Sequence, residues 1–164
     1  MWSFIKLLLL FIVATVCHWA FSSLFSFWGL SVNIMLAFTV AFCAVLKPAF
    51  GYPVAFVCGL FLDFFATKLF GYNAFSFTVA SCIIYALAER FDFDGIFPQV
   101  ISVFGLSVLV SVINALLVWW FASAAMWPGF WSVLGGAFFC ALLAPAVFWI
   151  VRRVLACGPV CRQR

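Results

Sequence analysis

The chain has 164 residues, of which 70% are hydrophobic and 7% charged, with a formal net charge of +4 and a mean hydropathy of +1.33. A soluble domain carries about a quarter charged residues and could not hide this much apolar surface at this length. Disorder needs the opposite composition. The cations are too scattered for a nucleic-acid patch, so the solvent that fits is a bilayer.

The charges punctuate the chain and set its elements. Lys6 opens an uncharged stretch that runs from Leu7 to Leu46, which is 40 residues, and another of 57 runs from Gly95 to Val151. Each is too long for one crossing of a hydrocarbon layer about 30 Å thick and long enough for two. The sequence Ser26-Phe27-Trp28-Gly29-Leu30-Ser31 breaks the first stretch, and Met126-Trp127-Pro128-Gly129 breaks the second. Lys47-Pro48 and Gly51-Tyr52-Pro53 mark the turn into a third helix, and Phe70-Gly71-Tyr72-Asn73 the turn into a fourth. The third segment crosses only if Asp63 lies near its end. The expected fold is therefore all-α: a single polytopic membrane domain over residues 1–164, with spans at 5–25, 31–46, 51–66, 72–89, 97–121 and 130–152. Six crossings are the primary count and five the fallback. The first span reads as a retained anchor, because its apolar run is long and no A-x-A cleavage site follows.

Orientation follows from lysine and arginine. Six crossings with both termini in the cytoplasm put Lys6, Lys47, Arg90, Arg152, Arg153, Arg162 and Arg164 inside and Lys68 outside, as the positive-inside rule asks. Trp28, Trp119, Trp120, Trp127 and Trp131 then gather at the outer interface and Trp2 and Trp149 at the inner one, an aromatic belt. Five of the seven cysteines fall inside spans, where they act as small apolar side chains. Cys157 and Cys161 flank Gly158-Pro159-Val160 in the basic tail and read as a reduced pair rather than a metal site.

Lipid provides no hydrophobic drive for helix association, so rows of small residues mark expected contacts. Gly51, Ala55 and Gly59 are spaced by four on the third helix and Asp63 continues the row. Ser107, Ser111 and Ala115 form a row on the fifth helix, and Gly136, Cys140 and Ala144 one on the sixth. Gly71 joins the packing candidates at the head of the fourth helix. Asp63 is the only acid inside a span, and such a group is paired or functional by default. Two readings stand for it: a direct pair with Lys68, or membership of an outward-facing polar cluster with Asn33, Asn73, Asn114 and His18. The loop with Glu89, Arg90, Asp92 and Asp94 is a candidate cytoplasmic docking surface.

Catalytic chemistry has little to stand on. There is one histidine, no G-x-S-x-G, no phosphate-cradling glycine loop with a lysine and no metal-ligand spacing. A membrane aspartyl protease needs two facing carboxylates, whereas Asp63 is expected outside and Asp92 and Asp94 inside. The reading is a non-enzyme that needs no cofactor.

The run Gly59-Leu60-Phe61-Leu62-Asp63 followed by Leu69-Phe70-Gly71-Tyr72-Asn73-Ala74-Phe75 resembles the G-L-x-x-D…G-x-N-A signature of the rod-shape-determining membrane protein MreD family. Size and short-looped spans are also similar. The resemblance implies a non-catalytic component of the bacterial inner membrane, in the cell-elongation machinery that builds peptidoglycan. It implies association with a bitopic MreC-like protein and, through it, with MreB, RodA and a class B penicillin-binding protein. That family is similar in fold to the substrate-binding S components of energy-coupling-factor transporters, so a vitamin-type transporter subunit is the alternative.

Overall fold

The computed structural model describes residues 2–26, 32–65, 70–90, 95–122 and 129–155. They form six helices: α1 (Trp2–Ser26), α2 (Ile34–Val45), α3 (Pro48–Phe65), α4 (Tyr72–Ala88), α5 (Ile96–Ala122) and α6 (Phe130–Leu155). The fold is thus an all-α bundle. Four helices, α1, α3, α5 and α6, are long and apolar enough to cross a membrane, which makes this a multi-pass membrane protein.

The two shorter helices sharpen the expected spans. α2 has 12 residues, about 18 Å at 1.5 Å per residue, too short to cross about 30 Å of hydrocarbon by itself. It does not need to, because it is the hub of the bundle and touches all five other helices. Met35, Ala37, Ala41, Phe42 and Cys43 are fully enclosed. An element wrapped in protein on every side has no backbone to shield from lipid. α4, with 17 residues, is about 26 Å long.

The third helix begins earlier than the turn signals suggest. Proline at a first helical position costs no hydrogen bond, since the N–H it lacks has no partner there anyway, and Pro48 takes that place. The amides of Phe50 and Gly51 both reach the Lys47 carbonyl, at 2.9 and 3.0 Å. Pro53 then lies inside the helix rather than in the turn.

Side-chain contacts give the directions. Phe11 meets Phe61 and Trp19 meets Phe65, with ring centroids 5.3 and 6.4 Å apart, so α1 and α3 run parallel. Gly51 at the start of α3 faces Tyr85 near the end of α4, and Asp63 near the end of α3 faces the start of α4, so these two are antiparallel. Asn114, late in α5, bonds to Asn73 at the head of α4. α5 therefore runs with α3, and α6 returns the other way. The consequence is an asymmetry of charge. Lys6, Lys47, Glu89, Arg90, Arg152 and Arg153 all sit at one end of the bundle, while Asp63 is the one charged side chain described at the other.

Buried side chains lie where the small-residue rows point. Gly51, Ala55, Cys58, Gly59 and Asp63 are the buried residues of α3, and Gly136, Cys140 and Ala144 are buried on α6. On α5, Ser107 is buried whereas Ser111 and Ala115 are half-covered. Lipid-facing surfaces carry the large apolar groups. On α6, Trp131 and Trp149 are both exposed and 18 residues apart, about 27 Å along the axis, close to the depth of a hydrocarbon layer.

Candidate functional site: a polar clamp between the third, fourth and fifth helices

The site is built on close backbone contact. A Cβ placed on Gly59 would lie 2.5 Å from Ala74 Cα, 2.6 Å from the Asn73 carbonyl oxygen and 2.7 Å from the Ala74 nitrogen. All three are backbone atoms, so nothing there can yield to a side chain. Glycine at this position lets the main chains of α3 and α4 touch. One turn further along α3, the Asp63 side chain therefore arrives over the first turn of α4.

That first turn lacks a cap of its own. The N-cap position is Gly71, held at φ 97°, a left-handed conformation that glycine adopts freely. It has no side chain to accept from the exposed helical amides, a role usually filled by Ser, Thr, Asp or Asn. Asp63 supplies the acceptor from the neighbouring helix. Its Oδ1 accepts from the Asn73 amide at 3.1 Å and its Oδ2 from the Ala74 amide at 3.0 Å. Both carboxylate oxygens are thus engaged, and the positive end of the α4 dipole faces the negative group. With 2% of its surface exposed, Asp63 is a fully buried cap delivered in trans.

The network continues into α5. Asn114 Nδ2 donates to Asn73 Oδ1 at 3.0 Å. The Ser76 hydroxyl is shared between Asn114 Oδ1 and the Tyr72 carbonyl, the latter 2.8 Å away. Asn73 and Ser76 are buried and Asn114 is half-buried. Three helices are therefore joined at one end of the bundle by groups that bond one another.

A second contact closes the other end of the α3–α4 pair. A Cβ on Gly51 would fall 1.6 Å from the Tyr85 hydroxyl. That hydroxyl donates to the Leu46 carbonyl at the end of α2, at 3.4 Å, and the Tyr85 ring packs against Tyr52, with centroids 4.9 Å apart. The Cys43 thiol lies 3.8 Å from the Gly51 carbonyl.

Several sequence expectations fall differently. Asp63 was open to a pair with Lys68, which lies outside the described residues; the partners seen are backbone amides. Asn33 does not join the clamp through its side chain. It caps α2, its Oδ1 accepting from the Leu36 amide at 3.3 Å. His18 stands apart too, with a buried Nδ1 that has no hydrogen-bond partner among the described residues. Gly71 is not a packing glycine, since nothing lies within 4 Å of a Cβ placed there; its place is required by the turn. Glu89 and Arg90 are exposed just past α4, and Asp92 and Asp94 lie outside the described residues, as do Cys157 and Cys161. Cys43, Cys58 and Cys140 are buried free thiols.

Ser76 and Tyr85 were not singled out from the sequence. Ser76 had a signal, since it follows Asn73 by three residues and so shares its face. Tyr85 had none beyond being a hydroxyl in an apolar run. Comparison of the chain with known family models, with curated proteins and with solved structures finds no match.

Proposed function

We propose that this protein is a non-catalytic scaffold of the bacterial inner membrane, serving the cell-elongation machinery that builds peptidoglycan and sets rod shape. In this reading it holds a bitopic MreC-like partner laterally in the membrane, and through that partner MreB, RodA and a class B penicillin-binding protein. The observation that carries the reading is the clamp. Of the residues of the MreD-like signature, Gly59, Asp63 and Asn73 lock α3 to α4 and Gly71 sets the turn between them, and the polar atoms of Asp63 and Asn73 are engaged with neighbouring groups inside the bundle. Groups committed in this way fix the shape of a surface and leave little for chemistry on a substrate.

The concentration of cations at one end of the bundle supports a cytoplasmic location for both termini, by the positive-inside rule. The exposed loop start at Glu89 and Arg90 then faces the cytoplasm.

The test is affinity purification of the tagged protein from its host, with identification of what comes with it. Recovery of an MreC-like protein, reduced in Asp63→Ala, is the expected result. Recovery instead of a transport ATPase together with a stoichiometric small molecule would replace the scaffold by a transporter subunit.

A further inference from the structure

One surface of α6 combines two chemistries that belong to a single kind of molecule. Phe138, Leu142 and Trp149 are exposed at 61%, 62% and 63%. Their spacing of four and seven places them on one face of the helix, and Arg153, four residues on, continues that face. The Arg153 guanidinium sits over the Trp149 indole, 5.5 Å from the ring centroid, and among the described residues it pairs with no carboxylate. An apolar strip about 17 Å long, from Phe138 to Trp149, therefore ends in an amphipathic ring and then in an exposed cation. The surroundings add to the positive potential, because Lys6, Lys47, Arg90 and Arg152 share this end of the bundle with Glu89 as the one described acid.

We propose that this strip binds an anionic phospholipid, with a headgroup phosphate at Arg153 and an acyl chain along Trp149, Leu142 and Phe138. The strip chooses the ligand. A free phosphate ion would use the guanidinium and leave the apolar run without purpose, and a zwitterionic lipid would use the run but bring no net charge to the arginine. The indole holds the guanidinium over the strip, so the two halves of the site are in register with the two halves of a lipid. An arginine near an anionic membrane surface is worth roughly a fivefold preference.

The full chain, purified in detergent, is given equal amounts of a phosphatidylglycerol and a phosphatidylcholine with the same acyl chains, and bound lipid is read by native mass spectrometry. The wild type is expected to retain phosphatidylglycerol several-fold over phosphatidylcholine. Arg153→Gln should lower that ratio about fivefold, Arg90→Gln, just past α4 and off this strip, should lower it much less, and Trp149→Leu should lower the total lipid retained. Millimolar inorganic phosphate should not displace the bound phosphatidylglycerol. Equal retention of both lipids by the wild type overturns the proposal, as does a wild-type ratio in Arg153→Gln, an equal loss in Arg90→Gln, or displacement by inorganic phosphate. Salt provides a readout on the unaltered protein: the preference must fall as ionic strength rises, and a preference indifferent to salt also overturns it.

Discussion

The α3–α4 pair and α1 are both apolar helical surfaces in the same bundle, yet they are held in opposite ways. Along α3 the contact runs from Gly51 to Asp63, with main chain against main chain at Gly59 and a carboxylate seated on the amides of the next helix. On α1 the buried residues described are Leu10 and Ala14, and Leu8, Leu9, Ile12, Val16 and Trp19 face outward. The lesson concerns the solvent. In water the large apolar groups of α1 would drive it into the core, but lipid tails are as apolar as leucine and give no such drive. Association in the bilayer goes to small residues that allow close approach and to polar atoms that need partners.

Substitutions can break this comparison, and the largest effect is expected at Gly59. Alanine there forces a methyl against the Ala74 backbone, and overpacking against atoms that cannot move costs about 3 kcal/mol. Thermal unfolding in detergent should show a large drop in Tm. Next comes Asp63→Ala, which strips the acceptor from two buried amides. Loss of a cap together with unsatisfied buried donors amounts to roughly 2–3 kcal/mol. Asp63→Asn keeps one acceptor oxygen and should lose about half as much.

Gly51→Ala tests the other end of the pair and should cost about 1–2 kcal/mol, because the obstructing atom is the tip of a side chain. Phe at position 85 removes that atom, so the double variant Gly51→Ala/Tyr85→Phe should be more stable than the sum of its single changes predicts. Asn114→Ala, which cuts the interhelical hydrogen bonds to Asn73 and Ser76, should lose about 1 kcal/mol. The smallest effect belongs to α1: Val16→Ala, on a side chain 61% exposed, should stay within about 0.5 kcal/mol. If Val16→Ala destabilised the protein as much as Gly59→Ala, the contrast between the two regions would be wrong.

Much of the fold was legible before any coordinates. Charged residues are costly in hydrocarbon, so their positions bound the apolar stretches, and the turn signals at 26–31 and 126–129 divide the two long ones into helices. The row Gly51–Ala55–Gly59–Asp63 was legible as well, because spacing by four keeps residues on one face, and all four are buried together. The partner of Asp63 was not. Its acceptors face the amides of Asn73 and Ala74, and a backbone amide has no letter in the sequence. Asn33 and His18 show a second limit. Their positions along the helices suggested a common level with Asn73 and Asn114, but a level says nothing about direction around the axis. The role of Gly71 was mistaken for a related reason. A glycine before a helix can serve packing or a left-handed turn, and the choice depends on what stands beside it.

Composition and charge spacing alone determined that this chain is a bundle of apolar helices, because the free energy of placing ions and backbone polar groups in lipid is the same wherever the helices lie relative to one another. The tertiary structure decided which helices meet and which polar atoms satisfy one another. That depends on the approach of two backbones at Gly59 to within a distance no side chain tolerates, which is a property of pairs of surfaces and not of either segment by itself.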